Sequence, residues 1–240
     1  MILTFTDFGV AGPYLGQMRA VLLRAAPEIP VIDLMSDVPA FEPRLAAVLL
    51  AALEGTALTG DVVLAVVDPG VGTERAPLAL EVDGRWFVGP DNGLFELVLR
   101  RAREARSFRI AWRPDTLSAS FHGRDLFAPV AAGLARGRTD TLEPAAPLRF
   151  PDWPDEPPLV AYVDGYGNAM TGLVAARLPP AAVVEAGGRR LARVRTFGEA
   201  APGEPFWYEN SLGLVEIAAN GTSAAALLKL APGTSIHLTA

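Results

Sequence analysis

Cysteine is absent from the 240-residue chain, and histidine occurs only at His122 and His237. Without cysteine, the chain can form no disulfide, no thiolate nucleophile and no cysteine-ligated zinc or iron–sulfur site. Two histidines also argue against a metal site built from several imidazoles. The remaining chemistry must come from carboxylates, guanidinium groups, hydroxyls and at most one or two imidazoles.

Positive charge is scarce as well. Lysine occurs once, at Lys229, and 21 basic residues face 27 acidic ones, for a net charge of −6. A nucleic-acid surface needs an excess of basic side chains, because phosphate contacts supply most of its affinity. We therefore expect no nucleic-acid partner.

Long hydrophobic runs are missing. The run AAVLLAAL at 46–53, preceded by Leu45, is far shorter than the ~20 residues that a membrane-spanning helix requires. The N-terminal MILTFTDFG carries no basic region and is not expected to be a signal peptide. These features predict a soluble, cytoplasmic protein that does not interact with a membrane.

The first 140 residues alternate strand and helix patterns, which is typical of an α/β domain with a mostly parallel sheet flanked by helices. An Asp-Gly pair inside LALEVDGRWFVGP indicates a hairpin, and DNGLFELVLRRARE predicts a helix capped by Asp91 or Asn92. Residues 141–158 hold six prolines and predict a linker. Residues 159–240 contain short strand-like runs separated by turns, which predict a smaller antiparallel β-barrel or β-sandwich domain.

Three aspartates follow predicted strands of the first domain: Asp7, Asp37 and Asp68. In an open α/β sheet, ligands bind beyond the carboxyl ends of the strands. Gathered there, the three carboxylates could hold a divalent metal or a ligand rich in hydroxyl groups. Each of them could also be a simple helix cap or turn former.

The stretch VVDPGVGTER runs from a strand through a glycine-rich turn onto Arg75, and SFHGRDLFAP places His122 just before a predicted helix. A turn after a core strand and a structural histidine are the simpler alternatives. The chain has no P-loop, no GxGxxG opening a helix and no GxSxG elbow. Nothing therefore points to a nucleoside triphosphate, a nicotinamide cofactor or Ser-His-Asp hydrolysis.

Five motifs occur in one order along the chain: TFTDFG, VVDPGVGTER, VGPDNGLF, SFHGRDLFAP and DGYGNAMTGL, followed by NSLGLVEIAANG. In this order they resemble the S-adenosylmethionine (SAM) hydrolases, also called SAM hydroxide adenosyltransferases, which are related to the bacterial fluorinase and chlorinase. The resemblance covers nearly the whole chain.

The resemblance implies attack of water on the 5′ carbon of SAM, giving adenosine and L-methionine. It implies a homotrimer with active sites between subunits, no metal and no cofactor besides SAM as substrate. By motif, the hydrolytic triad is Asp68, Arg75 and His122. The halogenating relatives lack this triad, which favours water over halide as the nucleophile.

The same resemblance implies the substrate-binding residues. Asp7 corresponds to the carboxylate that binds the ribose hydroxyls, and Phe41 occupies the place of a tryptophan in the fluorinase. Asp164 and Asn168 would hold the methionine ammonium and neighbouring groups, and Tyr166 would stack on the ligand. The residues that would contact methionine or the adenine edge are Ser211, Glu216 and Gly221.

Two other functions stay open from the sequence. One is halogenase-like transfer of the adenosyl group to chloride or another halide. The other is a non-catalytic protein that binds SAM or adenosine. The intact set of Asp68, Arg75 and His122 favours the hydrolase.

Overall fold

The computed structural model describes residues 1–239. The chain divides into two compact units, Met1–Phe150 and Pro151–Ala240, called here the first and second units. They are described separately.

One seven-stranded sheet forms the centre of the first unit, in the order β2-β1-β3-β5-β4-β6-β7. The strands are β1 Ile2–Thr6, β2 Val31–Met35, β3 Val62–Val66, β4 Pro77–Val82, β5 Arg85–Pro90, β6 Ala105–Ile110 and β7 Leu142–Pro144. Strands β2, β1, β3 and β5 are parallel to one another, whereas β4, β6 and β7 extend the sheet with antiparallel pairings. Strands β1 and β3 are buried along their whole length, because helices cover both faces of a parallel sheet.

The helices of the first unit are α1 Tyr14–Ala25, α2 Pro43–Leu53, α3 Glu96–Arg101 and α4 Ala128–Ala135. Helix α3 is shorter than its sequence pattern predicts. It begins only at Glu96, with Phe95 at the N-cap position, so the prediction that Asp91 or Asn92 caps it is wrong. Both residues have other partners, described below.

The Asp-Gly hairpin is present between β4 and β5. Asp83 and Gly84 both have positive φ, 48° and 76°, as a two-residue turn that matches the twist of the strands requires. The hairpin matters for the site because it places β5 between β3 and β4.

The proline-rich segment predicted as a linker begins inside the first unit. Its residues 142–144 form β7 at the edge of the large sheet. Further on, the backbone N–H of Leu148 donates to both oxygens of Asp91, and that of Phe150 donates to Glu96. Asp91 and Glu96 are both buried, so their carboxylates attach this part of the proline-rich segment to the first unit. The composition of the segment gives no sign of these contacts.

Two antiparallel sheets make up the second unit, β11-β10-β14 and β12-β13-β9-β8. The strands are β8 Val160–Val163, β9 Ala169–Val174, β10 Val183–Ala186, β11 Arg189–Leu191, β12 Pro205–Glu209, β13 Leu214–Ala219 and β14 His237–Thr239, with one short helix, α5 Ala224–Leu228. Trp207 is fully buried among aliphatic side chains of both sheets. The predicted fold class, an α/β domain followed by a smaller antiparallel β domain, is confirmed.

Candidate active site

Asp68 and Arg75 meet at the carboxyl end of β3. Arg75 Nε donates to Asp68 Oδ1 at 3.0 Å, and Arg75 Nη2 donates to Asp68 Oδ2. Only 6% of the Asp68 side chain and 8% of the Arg75 side chain are exposed. A paired, side-on guanidinium fixes both the position and the orientation of a carboxylate. The glycine-rich turn therefore brings together the charged pair that the sequence singled out.

His122 joins this pair through the same guanidinium. Arg75 Nη2 lies 3.3 Å from His122 Nδ1, and the guanidinium also stacks over the Phe127 ring at 5.3 Å. Arginine can only donate, so Nδ1 must be the acceptor and a neutral imidazole carries its proton on Nε2. Burial lowers the pKa of His122, and the positive charge of Arg75 lowers it further.

The sequence pattern predicts that an α-helix starts directly after His122, but the α-helix begins only at Ala128. Residues Gly123–Phe127 form one π-helical turn before α4. Within it, Asp125 Oδ2 accepts the backbone N–H of Ser118 at 3.0 Å, and Arg124 binds both Asp125 oxygens. The turn thereby holds the loop that leads into His122.

The two loops that carry the cluster touch backbone to backbone. Gly72 has φ of 79°, and a Cβ placed on it would stand 2.4 Å from the Ala119 carbonyl oxygen. Any side chain at residue 72 would therefore push the Asp68–Arg75 loop away from the loop before His122. This close approach explains why the loop carries glycine there.

Asp7 follows β1 and lies in the same cavity. Its Oδ2 accepts the backbone N–H of Phe41 at 3.3 Å. Phe41 has a left-handed backbone, φ of 64°, and the residue is 74% exposed. A left-handed backbone is strained for an aromatic residue, and residues with such strain are found most often at functional sites. Burial raises the pKa of Asp7, and the nearby Asp68 charge raises it further.

The cavity of the first unit measures about 230 Å³ and is lined by Asp7, Phe8, Tyr14, Ala40, Phe41, Val66, Asp68, Val71, Ser120, Phe121, His122 and Gly123. It contains two of the three strand-end aspartates; Asp37 is not among its lining residues. Among residues 1–239, no three His, Cys, Asp or Glu side chains are arranged to hold a metal ion.

Three aromatic rings of this cavity were missed in the sequence. Phe121 packs edge-on against Phe8 and Tyr14, with ring centroids 5.5 and 5.3 Å apart. Each ring lies in or near a recognised motif, TFTDFG or SFHG, so motif neighbours were the available signal. Together they give an apolar wall to the cavity that the carboxylates also line.

A second cavity, of about 770 Å³, lies in the second unit. Asp164 organises the DGYGN loop at its edge: Oδ1 accepts the backbone N–H groups of Tyr166 and Asn168 at 2.9 and 2.8 Å, and Oδ2 accepts Asn168 Nδ2 at 3.0 Å. Tyr166 is 84% exposed. The loop therefore presents a carboxylate, an amide and a free aromatic face together.

Glu216 supplies a buried carboxylate to the same cavity, with 2% of the residue exposed. Its Oε1 accepts the hydroxyl of Tyr208, and its Oε2 accepts Asn210 Nδ2 at 2.8 Å. Burial raises the pKa of Tyr208, and the bond to Glu216 raises it further. Tyr208 and Asn210 were also missed, although Asn210 is the first residue of NSLGLVEIAANG and Tyr208 lies two residues before it.

The sequence-predicted residues thus fall into two groups. In the first unit, Asp7, Phe41, Asp68 and His122 line one cavity, and Arg75 is bonded to Asp68 behind it. The lining of the second unit's cavity includes all six remaining residues, namely Asp164, Tyr166, Asn168, Ser211, Glu216 and Gly221.

A carboxylate and a guanidinium with buried side chains, together with a partly buried imidazole, lie at the carboxyl end of a parallel sheet. They define a site suited to orienting a small nucleophile beside a hydroxyl-rich ligand. The sequence profile of the SAM hydroxide adenosyltransferase N-terminal domain matches residues 2–143, and that of the C-terminal domain matches residues 159–237. The chain belongs to the SAM hydroxide adenosyltransferase family.

Several known proteins are similar along their whole length. The (R)-S-adenosyl-L-methionine hydrolase of Thermus thermophilus is 42% identical, over 97% of each chain. The protein of the same name from Salinispora tropica is 39% identical, over 98% of this chain and 96% of the relative.

Two solved structures have a similar fold over the whole chain. A conserved protein from Thermotoga maritima superposes with a TM-score of 0.88 at 29% identity over the full length of both chains. A conserved protein from Thermus thermophilus gives a TM-score of 0.79 at 40% identity, over 99% of each chain. In the described part of the chain, no helix is long and apolar enough to cross a membrane.

Proposed function

We propose that the protein hydrolyses S-adenosyl-L-methionine to adenosine and L-methionine. The observation that carries the proposal is the Asp68–Arg75–His122 cluster, whose Asp68 and His122 line the same cavity as Asp7. Membership of the family and relatives named as SAM hydrolases support the same activity.

The sulfonium makes methionine a neutral leaving group, so its departure needs no general acid. The difficult part is the weak nucleophile, which must lie in line with the bond between sulfur and the 5′ carbon. As water attacks that carbon, the carbon–sulfur bond breaks and its electron pair stays on the sulfur of methionine. The released proton passes to a nearby base and then to solvent.

Asp68 is the proposed base. Arg75 occupies one side of its carboxylate, which leaves the remaining lone pairs to accept a water proton. His122, with Nδ1 facing Arg75, offers its Nε2–H to the oxygen of that water. A resident metal is not expected, because a cation beside the nucleophile would repel the sulfonium of the substrate.

We further propose that the cavity of the first unit holds the ribose through Asp7 and Phe41. The second unit's cavity would hold the methionine and adenine groups, using Asp164, Asn168 and Tyr166, with Ser211, Glu216 and Gly221 at the ligand's edge. The highly exposed Phe41 and Tyr166 rings support a site that is completed by another protein surface. In the proposed homotrimer that surface belongs to the next subunit. A cytoplasmic location stays a prediction.

The experiment is incubation of the purified protein with SAM in water enriched in heavy oxygen, with and without chloride. We expect adenosine that carries the solvent oxygen at its 5′ position, together with methionine, whether or not chloride is present. Chloride-dependent 5′-chloro-5′-deoxyadenosine would establish halide transfer instead. Retention of SAM without any product would establish a binding protein. Separate runs with the two sulfonium epimers would give the epimer preference.

A further inference from the structure

The VGPDNGLF motif has no part in the chemistry described so far, yet it lies directly behind the catalytic loop. Strand β5 sits between β3 and β4 in the sheet. Asp68 follows β3 and Arg75 precedes β4, so the chain that leaves β5 at residues 91–92 passes between the two ends of their loop. Its contacts there determine how the loop is held.

Residues 91 and 92 bind both ends of that loop. Asn92 Nδ2 donates to the carbonyl oxygen of Val67, the residue before Asp68, at 2.9 Å. On the other side, the backbone N–H of Asp91 donates to the carbonyl oxygen of Ala76 at 3.0 Å. Arg75 Nη1 donates to that same oxygen at 2.9 Å. One tight turn therefore anchors the base and the guanidinium together.

On the β3 side a side chain must donate the hydrogen bond, because the backbone of β5 offers no N–H group at this point. The pairing of β5 with β3 ends at Leu64 and Val88. Gly89 brings the strands so close that a Cβ would lie 2.0 Å from the Ala65 oxygen, and Pro90 has no N–H to continue the ladder. The amide of Asn92 takes over as donor to the strand that delivers Asp68.

We propose that Asn92 is a positioning residue for the hydrolysis, acting through the backbone at Val67 to set the Asp68 carboxylate. The inference rests on the function proposed above. Its Nδ2 holds the strand end, while its Oδ1 accepts the Leu94 N–H at 3.3 Å and shapes the local turn. These two tasks belong to different atoms and can be separated by substitution.

Asn92→Asp keeps the acceptor for Leu94 but removes the donor to Val67, whereas Asn92→Ala removes both. We expect both variants to lower kcat about 10- to 100-fold, because small misplacements of catalytic groups have effects of about that size. Adenosine affinity should stay within about twofold of the parent, because the ribose contacts at Asp7 are untouched. Wild-type kcat in Asn92→Asp would overturn the proposal.

Arg85→Gln is the matched control. Arg85 starts the same strand β5 at its opposite end and likewise donates from its side chain to a carbonyl, that of Glu54 at 2.9 Å. We expect this variant to lose thermal stability and keep kcat. If the Asn92 variants lose kcat only in proportion to stability, as Arg85→Gln does, the role of Asn92 is structural and the proposal fails.

A readout without turnover separates this inference from the proposed function. His122 and His237 are the only histidines, so their proton resonances can be followed individually with pH. In Asn92→Ala, displacement of Asp68 and Arg75 should shift the His122 titration. This result would support positioning even if the parent protein forms no adenosine, which would refute the function alone. An unshifted His122 would refute the positioning.

Discussion

Arg75 binds Asp68 side-on: Nε donates a hydrogen bond to one carboxylate oxygen at 3.0 Å, and Nη2 donates to the other. Both side chains are almost fully buried. Removing one partner of such a pair leaves an uncompensated charge in a poorly solvated place, so the pair must be tested by substitutions that keep its shape.

Asp68→Asn should lower kcat by about 10²- to 10⁴-fold, the range typical for loss of a general base. Adenosine affinity should hardly change, because Asp7 and the aromatic wall remain. Stopped assays for adenosine and calorimetric titration with adenosine measure the two quantities. Glu81→Gln, which removes the surface pair with Arg106, is the control and should keep full activity. Unchanged turnover in Asp68→Asn would remove this carboxylate from the mechanism.

The pH dependence of hydrolysis should report His122. Burial and Arg75 lower the pKa of His122 below its ordinary 6.5, so the imidazole is neutral at pH 7. We therefore expect kcat/KM to fall only as the pH drops below 6.5. Below 6.5 the unfolded chain binds a proton more readily than the folded chain, so stability should rise with pH through this window. Urea unfolding and kcat/KM are measured between about pH 4 and 8.

His122→Asn should flatten both dependences. A kcat/KM profile whose acid limb is centred above pH 6.5 would contradict the assignment.

Asp7→Asn should stabilise the fold while weakening nucleoside binding. Burial raises the pKa of Asp7 above its ordinary 3.8, so the folded chain loses stability as pH rises through that folded pKa, and the whole cost is present at pH 7. The neutral amide removes this cost but accepts the ribose hydroxyls less well. Thermal melts at neutral pH and adenosine titrations test both effects. A lower melting temperature with unchanged adenosine affinity would contradict them.

Tyr208→Phe should raise KM for SAM more than it lowers kcat. The substitution takes the hydroxyl from buried Glu216, which leaves a poorly paired carboxylate facing the second unit's cavity but does not touch the Asp68 cluster. Thr171→Val is the control: it removes a buried hydroxyl bond to the Val215 carbonyl in the same unit, and neither of these two residues lines the cavity. That variant should lose stability and keep KM. Equal effects of the two on KM would contradict a binding role for Tyr208.

Local patterns were enough to predict most of the fold. The Asp83-Gly84 turn, the buried runs of β1 and β3 and the glycine-rich loop after Asp68 are each determined by residues near in sequence. The rule that ligands bind at the carboxyl ends of parallel strands predicted that Asp7 and Asp68 lie close together, and both line one cavity.

What the sequence did not reveal depends on contacts between distant segments. Asn92 has the residue type of a helix cap, and only the insertion of β5 beside β3 gives its amide the Val67 oxygen instead. The π-helical turn after His122 depends in the same way on Asp125 finding Ser118. The left-handed Phe41 is held by a carboxylate 34 residues away. Local propensity carries no information about such partners.

Strand β5 follows both β3 and β4 in the chain but lies between them in the sheet. Asp68 and Arg75 are only seven residues apart, yet the strand that lies between β3 and β4 is β5, which comes after Arg75 in the chain. Without β5 between them, the two ends of the loop would lack the hydrogen bonds from Asn92 and Asp91, so the cluster is complete only when the hairpin is paired with β3. Catalytic competence therefore depends on a pairing between distant segments and not on the short loop alone.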